Sequence, residues 1–103
     1  MTSIIGNIVG CIERIVKGKM TKAEVDIALS DLATHKTEPL QWRTSVVDLL
    51  KLLDLDSSIQ SRETLAGELG FPGHFGGSAS DNTTLHRMIM EHIASRDTRI
   101  PKA

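Results

Sequence analysis

The chain has 103 residues, enough for one domain with a modest core that needs neither metal nor disulfide. Its net charge of −1 makes no electrostatic case for nucleic acid, and with Trp42, Phe71 and Phe75 as the only aromatics there is no base-stacking platform or aromatic sugar site. The lone Cys11 excludes an intrachain disulfide, which fits a reducing compartment, and no apolar run is long enough to cross a membrane.

Residues 2–17 predict an amphipathic helix. At about 100° per residue, Ile4, Ile5, Ile8, Val9, Cys11, Ile12, Ile15 and Val16 fall on one half of the wheel. Thr2, Ser3, Gly6, Asn7, Gly10, Glu13, Arg14 and Lys17 take the other. The apolar half is largely β-branched and two glycines interrupt the polar half, so the helix should form only when its face is covered. Three covers are possible: the rest of the domain, a second copy or other protein, and a lipid surface. Arg14, Lys17 and Lys19 are the only cations nearby, a thin set for anionic lipid. Gly6 and Gly10 have the G-x-x-x-G spacing but sit on the polar side, so they do not read as a membrane dimer motif. The N-terminus lacks the basic start and small-residue cleavage site of a secretion signal. The expected location is cytoplasmic, with the membrane periphery or a virion as alternatives that the residues do not separate.

Gly18 is expected to end this helix, which divides the chain into an amphipathic segment, 1–19, and a small helical domain, 20–103. Thr21 and Glu24 form a capping-box pair for a second helix running to about Ala33, with Val25, Ala28, Leu29 and Leu32 as its stripe. Pro39 argues for a loop between His35 and Gln41. Trp42 precedes the central stretch, where Thr44 or Ser45 caps a helix carrying Val46, Leu49, Leu50 and Leu53. Trp42 reads as a core or staple residue, with a ligand contact as the alternative, and Arg43 as the partner of a carboxylate, with an anion near the helix start as the alternative.

The run Asp54–Ser58 invites a calcium hypothesis, but it lacks the glycine and distal glutamate of such a loop. Asp56 or Ser57 is instead expected to cap a helix that bears Ile59, Leu65, Ala66 and Leu69 and closes at Gly70 in the left-handed region. A helix-turn-helix over 42–70 also resembles a DNA reader, but Glu63 and Glu68 on its second helix oppose phosphate. Residues 71–81 are glycine-rich without the lysine of a phosphate loop; they predict a surface connection, or a recognition loop presenting His74 and Phe75. Ser80 or Asp81 is expected to cap a last helix with Leu85, Met88, Ile89 and Ile93 inward. His86 and His92 lack the i, i+4 spacing of a metal pair, and no nucleophile or oxyanion device accompanies them. The tail DTRIPKA is expected to fray, with docking of Ile100 on a path fixed by Pro101 as the alternative.

Several segments resemble the family catalogued as domain of unknown function 3597, small helical proteins of bacteria and phages. They are QWRTSVVDLLKLLDLDSS, RETLAGELGF, SAS followed by LHRMIM, and RIP near the end; the apolar opening SIIGNIVGCI is of the family's type. The resemblance implies a compact all-helical domain and no reaction. Two departures are a linker shorter than the family's Ala/Pro-rich one, and Thr84 where an aromatic is common before the Leu-His pair.

The expected architecture is all-α, a compact bundle of about five helices with a central hairpin at 42–70. The expected function is a non-enzymatic interaction or self-assembly module. It would use Ile4, Ile5, Ile8, Val9, Ile12, Ile15 and Val16, with His74 and Phe75 as a second candidate surface. The expected partner is a second copy or another protein, with a membrane surface as the alternative and nucleic acid excluded. No cofactor or metal is implied.

Overall fold

A computed structural model describes residues 3–16 and 20–95. Gly18, expected to stop the first helix, and the tail with Ile100 and Pro101, expected to fray or to dock through Ile100, lie outside these described residues. Within them the chain is all-α, a small compact bundle: α1 (Ile4–Ile15), α2 (Lys22–Ala33), α3 (Val46–Leu52), α4 (Ile59–Leu69) and α5 (Ala79–Ala94).

Each helix begins at a hydroxyl. Ser3 accepts from the Gly6 N–H at 3.0 Å, Thr21 from the Glu24 N–H at 3.0 Å, and Ser45 from the Asp48 N–H at 3.2 Å. Ser58 caps α4, accepting from the Ser61 N–H at 3.3 Å, and Ser78 caps α5, accepting from the Asp81 N–H at 3.1 Å. The last two correct the expectation from sequence, which placed the α4 cap at Asp56 or Ser57 and the α5 cap at Ser80 or Asp81. The displaced acids have other work. Asp56 accepts from the Ser58 N–H and Oγ at 3.1 and 2.9 Å and from Ser61 Oγ at 2.7 Å, so it orients the capping serine. These bonds, led by that of Ser61, hold the Asp56 carboxyl below its ordinary pKa. Asp81 accepts from the Gly76 N–H at 2.7 Å and ties the glycine-rich loop to the start of α5.

α3 and α4 stop in the same way. At the end of α4, Gly70 lies at φ +74°, its N–H reaches the Gly67 carbonyl at 3.3 Å and the Phe71 N–H reaches the Ala66 carbonyl at 2.9 Å. At the end of α3 the left-handed residue is Asp54, φ +58°; its N–H meets the Lys51 carbonyl at 3.1 Å and the Leu55 N–H meets the Leu50 carbonyl at 2.8 Å. The Asp54 carboxylate accepts from Lys36 Nζ at 2.7 Å, across the preceding loop.

α3 packs on α2 and α5, while α4 packs on α5 and α1. Thus the helices of the 42–70 stretch follow one another in sequence but take their principal partners elsewhere. Leu49, Leu50, Leu52, Leu65, Leu85 and Ile89 are fully buried at the centre. Ile8 and Ile12 of α1 are buried to the same degree and belong to the same cluster, so α1 and the rest of the bundle share one core.

Trp42 is buried and fastens the loop before α3. Its carbonyl lies 2.7 Å from His86 Nε2, and because a carbonyl can only accept, the imidazole carries its proton on Nε2. The Arg43 guanidinium lies 4.4 Å over the indole. Its Nε and Nη2 meet both oxygens of Asp26 at 3.2 and 3.1 Å, and Nη2 also meets Ser30 Oγ at 2.8 Å. Arg43 therefore joins the loop to α2, as its reading as a carboxylate partner implies.

Candidate functional site

The structure divides the α1 residues proposed from sequence into two groups. Ile5, Ile8, Val9, Ile12 and Val16 are buried, with Ile8 and Ile12 wholly inaccessible. As folded, these side chains cover the domain's own core and are not open to a partner. Ile4 and Ile15, at the two ends of the helix, are only half-covered, as is Cys11 between them. Of the possible covers for this face, the rest of the domain takes its centre and leaves its edges.

α1 is also held at its N-terminus. Its first turn contains no acidic residue of its own. Glu68 of α4 supplies one: Oε2 accepts from the Ile4 N–H at 3.0 Å and Oε1 from the Ile5 N–H at 2.8 Å. The carboxylate thus satisfies two of the N–H groups that any helix start leaves open, and it faces the positive end of the helix dipole. The contact joins residues far apart in sequence, so no local pattern announces it.

Beside Ile15 lies an aliphatic residue outside the sequence's candidate set. Ile27 is 61% exposed, the one exposed large hydrophobic among the described residues. Val25 and Leu29 are the buried positions of α2, and Ile27 lies on the opposite side of that helix. An isoleucine off the buried stripe was the available signal. Ile15, Ile27 and Ala28 line a cleft of about 170 Å³ together with Glu24 and Asp31. A neighbouring cleft of about 170 Å³, on Cys11, Arg14, Leu32 and Asp54 among others, shares Ile15; there an Arg14 Nη2–H points at Cys11 Sγ at 3.3 Å.

The second surface proposed from sequence also splits. His74 is exposed, whereas Phe75 is buried, its ring meeting Phe71 edge to face at 5.3 Å between centroids. Phe75 is an anchor of the loop rather than something the loop presents. Phe71, His74 and Phe75 line a cleft of about 190 Å³ together with Glu63, Ala66 and Gly67. The loop is held further by Arg62, which donates to Asn82 Oδ1 at 2.8 Å while Asn82 Nδ2 donates to the Gly77 carbonyl at 3.3 Å.

The histidines are not gathered. His86 is committed to Trp42, and His35 and His74 are exposed on separate loops. Among the described residues no group of three or more His, Cys, Asp and Glu side chains could hold a metal ion, and no helix is long and apolar enough to cross a membrane.

Helix caps, one shared core and shallow surface clefts define a small all-helical domain. The model of the family described as domain of unknown function (DUF3597) matches residues 13–101, from the last turn of α1 to beyond α5, and the chain belongs to that family. No curated protein and no solved structure matches it.

Proposed function

We propose that the chain is a non-enzymatic helical interaction module whose working surface is the edge of the α1 face, not its centre. One observation carries this reading: the centre of the face is used up in the core, while Ile15 stays half-covered and is continued on α2 by the exposed Ile27. A side chain of that size left open beside a second apolar group costs solvation that a partner would recover. The partner is a protein, a second copy or another chain. The absence of a catalytic step from the proposal is supported by the commitment of the buried His86 to a backbone carbonyl.

The test is affinity capture from the native cell extract with three baits: the full chain, Ile15→Asp and Ile27→Asp, with light scattering on each for self-association. The reading expects at least one interaction, with self or with another protein, that the full chain makes and Ile27→Asp loses while its melting curve is unchanged. Identical captured sets and identical masses for all three baits would sink it. Binding to lipid vesicles is the rival, and it would show as flotation of the full chain in the absence of any protein partner.

A further inference from the structure

Four residues of α2 stand in one row. Glu24, Ile27, Ala28 and Asp31 occupy positions i, i+3, i+4 and i+7, and all of them line the cleft beside Ile15. The row is therefore acid, aliphatic, small, acid, about 10 Å from end to end at the helical rise. Neither acidic side chain has an ion-pair partner among the described residues; the described pairs are Lys36 with Asp54 and Arg43 with Asp26. Lys22 lies on another side of α2, in a cleft with Val25 and Met90, and Arg14 belongs to the neighbouring cleft on α1.

This pattern selects among partners. A second copy laid on the same row, parallel or antiparallel, would set carboxylate against carboxylate, so the row disfavours symmetric self-association. An anionic lipid surface meets the same repulsion. A complementary segment has an aliphatic side chain to fill the space between Ile15, Ile27 and Ala28, with a lysine or arginine on each side of it. Resting on the interaction-module reading above, we propose that the Ile15–Ile27 cleft docks a helical segment of another protein carrying an aliphatic anchor flanked by basic residues one turn to either side. The apolar floor supplies affinity, and the two carboxylates set orientation and exclude acidic competitors.

The probe is a library of peptides randomised on one face of a helical scaffold and selected against the full-length chain. Expected are enriched peptides with an aliphatic residue flanked by Lys or Arg. Their binding should weaken by about tenfold or more on Ile27→Asp, the consequence of withdrawing a buried isoleucine contact. The double variant Glu24→Lys/Asp31→Lys should invert the preference toward acid-flanked peptides. Asp31 is exposed and Glu24 is half-buried in the first turn of α2, so unchanged melting curves are required to verify that the fold survives. Peptides that bind the full chain and Ile27→Asp alike would overturn the docking assignment while leaving an interaction module with a different surface. Failure to enrich any helical peptide overturns the assignment, and the capture experiment then judges the module reading by itself. Flotation with phosphatidylglycerol vesicles that Ile27→Asp abolishes would overturn it in favour of lipid.

Discussion

Replacing Gly77 with alanine tests the geometry of the glycine-rich loop. Gly77 lies at φ +81°, and a Cβ built there would stand 2.6 Å from Cδ1 of Ile59. The left-handed backbone alone costs an L residue about 1–2 kcal/mol. The overlap adds about 0.5–1.5 kcal/mol, because the methyl it meets is the far end of a side chain that can leave its rotamer. Alanine also reduces the entropy of the unfolded chain, which offsets about 0.4–1 kcal/mol. The net expectation is a loss of about 2 kcal/mol, measured by urea denaturation. Gly10→Ala is the control: its Cβ would meet nothing within 4 Å, and in the interior of α1 it should stabilise by about 0.5–1 kcal/mol. Repeating Gly77→Ala on Ile59→Val, which removes the Cδ1, separates the two costs; the steric part should vanish and the backbone part persist. An unchanged stability for Gly77→Ala, or an identical penalty in both backgrounds, would refute the reasoning.

Ile12→Ala should lose about 2–5 kcal/mol because Ile12 is fully buried, whereas Ile27→Ala should stay within about 0.5 kcal/mol of the parent, both read from the same denaturation curves. Glu68→Ala should cost about 1 kcal/mol through loss of the carboxylate at the start of α1, with faster amide exchange at Ile4 and Ile5; Glu68→Gln, which keeps one acceptor oxygen, should fall between. Asp56 has a folded pKa below its unfolded value, so its contribution is present above the unfolded value near 3.8 and is lost as pH falls through the folded one. Asp56→Asn should accordingly flatten the decline in stability below about pH 4 and remove a fixed amount at neutral pH.

Helix positions were legible because they rest on short-range signals. The capping threonine before α2, the β-branched stripe of α1 and the left-handed Gly70 all declare themselves within a few residues. Cap choice at α4 and α5 was not, since serines and aspartates stand together and only three-dimensional closure decides which oxygen meets the open N–H groups. Asp56 and Asp81 lost that competition to Ser58 and Ser78 because each is used to hold a neighbouring loop or the capping serine itself. The candidate surface was legible only in part. Periodicity identified the α1 face but could not say whether the domain or a partner covers it, because both covers demand the same residues. Periodicity does not select Ile27, which lies off the helical stripe, nor Glu68, whose contact with Ile4 joins distant parts of the chain. A recognition loop presenting Phe75 is the sequence's alternative to a plain surface connection, since loop aromatics often face outward, yet its ring closes on Phe71.

The most direct measurement is the thermal melt of a chain truncated to begin at Lys19, beside the full chain, with the mass of each by light scattering. The truncation removes the buried Ile5, Ile8, Val9, Ile12 and Val16. At about 1.5–3 kcal/mol for each buried aliphatic side chain, that loss rivals the whole stability of a small domain, about 5–15 kcal/mol. The account predicts that the truncated chain has no cooperative transition, because α1 is core and only its edge is available for binding. A truncated chain that melts cooperatively near the full chain's temperature would contradict this and return the whole face of α1 to the role of a partner surface.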